Sequence, residues 1–314
     1  MHYSDLTSSG TVKMRRNHSY KIRMERAEIS FNVVGFVFIS FFAFLALVPF
    51  IFIVSGSLTK ESAIYRYGYS IIPHQFSLEA YRVLFKAPAR ILNAYFVTIM
   101  LEVFGTTTSM FLVSLTAYVL YRRSFRYRNF FALMFYFTSL FSGGLIPTYI
   151  WIVRYLHLKN TFFALLLPPL MGPWLIFLMR NFMSSIPESL VESAKMDGAG
   201  EFKIFWNVIL PLAVPGLATV GLFKGLAYWN DWFLARLYIE KEKLFPLQYF
   251  LYNILHTAEG IDRAVAQSGI PLPKLPSQSL KLAISVVAIG PVIFLYPLVQ
   301  RYFIKGITIG SVKG

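Results

Sequence analysis

Three observations predict an all-α polytopic membrane protein with six transmembrane helices. Hydrophobic residues make up 56% of the 314-residue chain, and mean hydropathy is +0.56. Charged residues are only 14%, where a soluble domain carries about 25%. Apolar runs of membrane length recur, with basic residues gathered at their ends, where headgroups and topology favour them. That clustering accounts for the net charge of +15 without invoking nucleic acid. Cysteine is absent, which excludes disulfides, thiol chemistry and cysteine metal sites.

The elements follow in order. Residues 1–28 form a polar tail carrying Lys13, Arg15, Arg16, Lys21, Arg23 and Arg26. The apolar segment behind it outruns a signal-peptide core, so the first span, within 29–59, is expected to stay uncleaved. It holds no charge, and Pro49 is placed to kink it. Residues 78–85 read as a short interfacial helix. The second span, 91–121, contains a single charge, Glu102, which its apolar side chains outweigh. Arg122, Arg123, Arg126 and Arg128 follow with no acid among them, the clearest cytoplasmic signal in the chain.

The third span, 129–153, contains Ser142-Gly143-Gly144 and Pro147, which weaken or bend a helix. The fourth, 160–179, contains Pro168, Pro169 and Pro173. The fifth covers 212–235. A long external segment, 236–281, is rich in proline and charge near its end, and the sixth span is 282–300. Spans packed on one another make one domain, 29–304, between the basic tail and a C-terminal tail, 305–314. Six spans put both termini in the cytoplasm.

Residues 185–211 form the most polar segment between two membrane-length runs. Ser185 and Glu188 have capping-box spacing, and Pro187 suits a first helical turn. Ile186, Leu190, Val191 and Ala194 share one helical face. Asp197-Gly198 breaks this helix. A second, over 201–209, carries Phe202, Phe205 and Trp206, and Pro211 marks the next boundary. The expected shape is helix, tight turn, helix: a partly apolar knob at the membrane surface.

Glu192-Ser193-Ala194, three residues, Gly198, nine residues and Val208-Ile209-Leu210-Pro211 resemble the EAA loop of binding-protein-dependent ABC importer permeases. Ser193 stands for the family's first Ala, and Val208 for its Ile. The tail from Gln300 to Gly314 looks like the end of maltose-type sugar permeases. The stretches from Phe141 to Tyr149 and Tyr228-Trp229-Asn230-Asp231 look like a subgroup associated with complex oligosaccharides. The resemblance runs from about the second span to the last residue.

It implies a type I ABC importer permease fold in a bacterial inner membrane. It also implies a second permease subunit, a cytosolic ATPase dimer and an external solute-binding protein. The 185–211 loop would be the coupling helix that docks in the ATPase, with Glu188, Glu192, Ser193, Ala194, Asp197, Gly198, Ala199, Leu210 and Pro211 at the contact. Lys313 and Gly314 would reach the same partner.

The chain lacks a G-x-x-x-x-G-K-[ST] phosphate loop, so ATP and Mg²⁺ are expected in the partner, with no cofactor here. There is no H-E-x-x-H, and His2, His18, His74, His157 and His256 all lie outside the span cores. A polytopic membrane enzyme therefore has no visible catalytic constellation. Glu102, Trp229, Asn230 and Asp231 are the candidates for a substrate path, because charge facing lipid is costly. Each has a structural alternative. The polar groups can pair with a neighbouring helix, and Trp229 can anchor at the interface. Lys224 lies inside Gly221–Gly225, which has G-x-x-x-G packing spacing. The function read from the sequence is oligosaccharide import, with a peptide or another solute as the alternative.

Overall fold

The computed structural model describes residues 26–268, 276–291 and 293. The chain divides between Phe50 and Ile51 into two compact units. In the first, every described residue belongs to α1 (Arg26–Ser57), which keeps Pro49 inside an unbroken helix. Its large apolar side chains are exposed, Phe31 at 79%, as a helix in contact with lipid requires.

The second unit is built around α4. Before it come α2 (Glu61–Tyr67) and α3 (Glu79–Leu84), the latter matching the expected interfacial helix. The Glu61 carboxylate accepts the Gln278 and Ser279 backbone N–H groups, both at 2.9 Å. It thereby caps a helix at 277–291. α4 (Pro88–Tyr121) spans 34 residues, with Pro88 in its first turn. Beyond it lie α5 (Arg128–Leu140) and α6 (Leu145–Ile150), continued by a π-helical turn at Trp151–Tyr155.

The third span is thus not one rod. The chain bends by 111° between its two halves, because Gly143 and Gly144 have little helix propensity and Pro147 brings no N–H to the ladder. The fourth span also differs from expectation. It consists of α7 (Phe163–Leu166) and α8 (Pro173–Ser184), separated where Pro168 and Pro169 interrupt the ladder. The Lys224 ammonium donates to the Pro169 carbonyl, one of the acceptors such a break leaves unpaired.

The 185–211 loop supplies α9 (Glu188–Met196), α10 (Glu201–Ile204), a π-helical turn at Phe205–Ile209 and α11 (Leu210–Leu212). Pro211 lies within that last turn rather than ending it. The wide turn, closed by Leu210 N–H to Phe205 C=O, makes room for a residue without a donor. The break falls at Ala213, where the chain bends by 81°.

The fifth span is α12 (Val214–Trp229), shorter than expected because Asn230–Trp232 separates it from α13 (Phe233–Tyr238). The segment 236–281, expected to be external, holds an amphipathic helix, α14 (Leu247–Ser268), that packs on α4. Its apolar stripe was hidden among the charges that made the segment read as a loop. The C-terminal part of the sixth span, residues 1–25 and the C-terminal tail lie outside the described residues, while 26–28, expected in the N-terminal tail, open α1.

Among the described residues, α1 and α4 are long and apolar enough to cross a membrane alone, and four spans result if each bent pair counts as one. Among the described residues no strand forms beyond an isolated bridge between Thr59 and Phe76. The all-helical polytopic class stands as expected.

Close packing of α4 on α12 depends on glycine. A methyl at Gly105 would come within 2.3 Å of the Tyr228 ring, and one at Gly225 within 2.7 Å of Glu102 Oε1. Gly221 meets Met110, so the G-x-x-x-G pair does face a neighbouring helix. Gly105→Ala is expected to cost about 1–3 kcal/mol by overpacking. Gly35→Ala, which meets nothing within 4 Å, serves as the control. Thermal unfolding of the detergent-solubilised protein reads the difference, and equal midpoints would contradict the packing.

Candidate functional site

The 185–211 loop is fixed rather than loose. Ile204, Phe205 and Ile209 are fully buried. They join Val191, Ala117, Met179 and Val220 in one apolar core shared by α4, α8, α9 and α12. Burying such side chains stabilises the loop by roughly 1.5–3 kcal/mol each.

The expected capping box does not form. α9 begins at Glu188 behind Pro187, with no side-chain cap. Ser185 instead closes the preceding helix, its Oγ donating to Phe182 C=O at 2.7 Å. The sequence spacing was right, but the hydroxyl serves the helix that ends rather than the one that begins.

The turn after α9 explains the motif spacing. Gly198 has φ +78°, which only glycine adopts without strain. Gly198 N–H donates to Lys195 C=O, and Ala199 N–H to Ala194 C=O, both at 3.0 Å. This is the paired closure of a Schellman motif. Ala194 and Ala199 both pack against the apolar core, which fits the small side chains there.

Glu201, the first residue of α10, fastens the knob to α4. Its carboxylate accepts Arg122 Nε at 3.0 Å and Arg122 Nη2 at 3.1 Å, a bidentate pair. Tyr118 OH donates at 2.5 Å, and Lys195 Nζ from α9 lies at 2.9 Å. The Tyr118 ring packs on Phe205, with centroids 5.3 Å apart. Burial acts to raise the Glu201 pKa, but the Tyr118, Lys195 and Arg122 hydrogen bonds and the Arg122 charge prevail and hold it at about 2, below the ordinary 4.5. Arg122 loses hydration by burial, yet Glu201 still raises its pKa.

Sequence reading missed Glu201 and Arg122. The only local signal was an acid opening a helix after Gly200.

The remaining loop candidates face outward. Glu188 pairs with Arg123 at 3.5 Å. Glu192, Ser193 and Asp197 are exposed, as is Pro211, while Leu210 is half-buried. Met196 at 84%, Phe202 at 65% and Trp206 at 50% form an exposed apolar surface on the same knob. Lys313 and Gly314 lie outside the described residues.

The substrate-path candidates separate into two groups. Glu102 sits on α4 against Gly225 of α12, and its Oε2, like Thr106 Oγ1, is buried without a hydrogen-bond partner among the described residues. Such a group inside a membrane calls for water or a polar solute. Trp229 is buried and donates its indole N–H to Ala288 C=O at 3.1 Å. Asn230 Nδ2 donates to Leu226 C=O, closing the end of α12. Asp231 Oδ1 accepts the Phe233 and Leu234 N–H groups at 3.1 Å and opens α13. Asn230 and Asp231 hold the α12–α13 corner and Trp229 ties α12 to the helix at 277–291, and among the described residues no hydrogen bond or ion pair joins Glu102 to them.

Apolar helices long enough to cross a membrane, with the polar 185–211 helix–turn–helix among them, define a polytopic membrane protein. Residues 29–309 match the family model for the binding-protein-dependent transport system inner membrane component, and the chain belongs to that family. It is similar to the polygalacturonan/rhamnogalacturonan transport system permease protein YtcP of Bacillus subtilis (strain 168), with 37% identity over 90% of this chain and 98% of that relative. It also resembles the arabinooligosaccharides transport system permease protein AraQ of Halalkalibacterium halodurans, at 27% identity over 90% of this chain and 95% of that protein. Among solved structures it matches a chain of a bacterial ABC transporter involved in the import of the acidic polysaccharide alginate. That match has a TM-score of 0.73 and 33% identity, covering 89% of this chain and 99% of the other.

Glu201→Gln removes the charge while keeping an acceptor, and leaves Arg122 without its counterion. Because the Glu201 side chain is 49% exposed, the cost is discounted for solvent to about 1–2 kcal/mol. Limited proteolysis should therefore cut the 185–211 loop faster in the variant. In the parent, the lowered pKa makes the carboxylate's contribution complete above about pH 4.5 and lost as pH falls toward about 2. Protection should be flat from neutral pH down to about 4.5. A loss already present near neutrality would point to another group.

Proposed function

We propose that this chain is one of two membrane-spanning subunits of an ABC importer for an oligosaccharide. Its 185–211 loop carries the motion of a partner ATPase into α4. The observation that carries this reading is the Arg122–Glu201 clasp. It joins the outward-facing knob to the longest helix of the second unit through a bidentate charged contact and a shared core. A displacement of the knob is then felt along α4, which holds Glu102, and at its contact with α12. The exposed Met196, Phe202 and Trp206 surface, rimmed by Glu192 and Asp197, supplies the docking face.

ATP and Mg²⁺ are bound by the partner, and an external solute-binding protein delivers the solute. Transport follows alternating access, in which only a difference in affinity between the two states does work. The names of the two relatives and of the alginate importer support a sugar over a peptide. Both termini face the cytoplasm of a bacterial inner membrane, as the run of arginines at 122–128, which holds no acid in its sequence, favours.

Two experiments test this reading. A Cβ added at Gly198 meets no neighbour within 4 Å, so Gly198→Val strains chiefly the backbone, by about 1–2 kcal/mol. The variant should insert and assemble normally but lose uptake by about tenfold, the factor equivalent to 1.4 kcal/mol. ATP hydrolysis should persist without transport. Uptake at the parent rate would show that the turn is not part of the coupling element. Separately, a reporter fused after Arg128 should lie in the cytoplasm, and one at Gly260 outside. The reverse pattern would remove the knob from the ATPase side altogether.

A further inference from the structure

We propose that a cavity of about 500 Å³ beside the knob binds the phosphate of an anionic phospholipid headgroup. The inference rests on the reading that this face is cytoplasmic. Arg122 and Arg123, following α4, line the cavity with Arg128, which opens α5, and Arg180, in the last turns of α8. Glu188, the first residue of α9, completes it. Its volume falls within the usual range for small-ligand sites, about 300–1,000 Å³.

The charges do not balance. Glu201 holds Arg122, and Glu188 pairs with Arg123. Arg128 and Arg180 are half-buried and have no acidic partner among the described residues. Arginines that serve only to orient the chain can extend into water. Here four from separated stretches converge on one concavity, and two retain uncompensated charge there. The hydroxyls at its edge are committed, Ser184 to Arg180 C=O and Ser185 to Phe182 C=O. The available donors are therefore guanidinium N–H groups, whose planar fork matches phosphate oxygens.

The adjoining surface favours a lipid over free phosphate. Directly after Arg128, α5 exposes Phe130 at 64%, Leu133 at 64% and Phe137 at 57%, a stripe at helical spacing. A headgroup held by Arg128 would have acyl chains beside an apolar track, whereas free phosphate gains nothing from it. The bound phosphate would also brace the corner between α8 and α9, from which the knob projects.

The test uses the whole transporter, with its partner permease and ATPase subunits, in nanodiscs of mixed phosphatidylglycerol and phosphatidylcholine, followed by native mass spectrometry. Phosphatidylglycerol should be retained in preference to phosphatidylcholine. Arg128→Gln and Arg180→Gln should each lower that retention about fivefold, the factor equivalent to the roughly 1 kcal/mol of one basic residue at an anionic surface. Lysine at either position should restore part of it. Should one of these variants fail to assemble, the other gives the same reading. Three results would overturn the proposal: equal retention by parent and variants, displacement of the lipid by inorganic phosphate, or retention by the permease pair that vanishes when the ATPase is added. The last would assign the cavity to an acidic side chain of that partner. Lipid retention is read without transport, so it can fail while the coupling role stands, and the reverse.

Discussion

The Glu201 carboxylate is the point at which membrane and surface parts of this protein are joined. It collects Tyr118 from α4, Arg122 just after its end and Lys195 from α9. A single exposed ion pair contributes little, because water competes for both charges. This one differs because Arg122 is buried, the contact is bidentate, and a phenol donates to the same oxygen. Removing the acid would leave a buried guanidinium uncompensated, the costly half of a salt bridge. The clasp therefore acts less as a source of net stability than as a constraint on how the loop sits against α4.

The rest of the bundle is shaped by the need to satisfy backbone groups away from water. The fourth span is broken at Pro168–Pro169 and the fifth at Asn230–Trp232, and both breaks find local partners. Lys224 meets the carbonyl freed at Pro169. Asp231 receives the amides that open α13. Tyr228, against Gly105, donates its hydroxyl to Leu166 C=O at 2.7 Å. Polar residues within the spans thus serve two purposes. Most of them mend the ladder, and Glu102, with Thr106, remains uncommitted at the α4–α12 contact. That contrast separates Glu102 from the other path candidates.

The arginine-lined cavity and the clasp belong to one charged region. Arg122 and Arg123 follow one another, yet one is locked into the knob and the other pairs loosely with Glu188. The knob is thereby set between a rigid contact at α10 and a softer one at the start of α9. A bound headgroup would act on the softer side, so membrane composition and the coupling loop would share a boundary.

Much of this was legible in the sequence because its physics is local. Apolar runs mark spans by solvent transfer alone. The Ala194-to-Gly198 spacing is read within one helical turn, because a left-handed residue must follow the helix at a fixed offset. Proline and glycine announced the breaks, but not the 111° and 81° bends, which depend on what the two halves pack against. The Ser185–Glu188 spacing misled, since the same hydroxyl can close one helix or open the next. Only tertiary structure could pair Arg122 with Glu201, 79 residues on, or Lys224 with Pro169, 55 residues away. The sequence by itself determined the helical polytopic class, the weak points at Gly143–Gly144 and Pro168–Pro169, and the surface turn at Gly198. Which charges meet across those breaks was decided by packing, because a side chain's partner is set by distance in space, and helix periodicity carries no information about a neighbour on another helix.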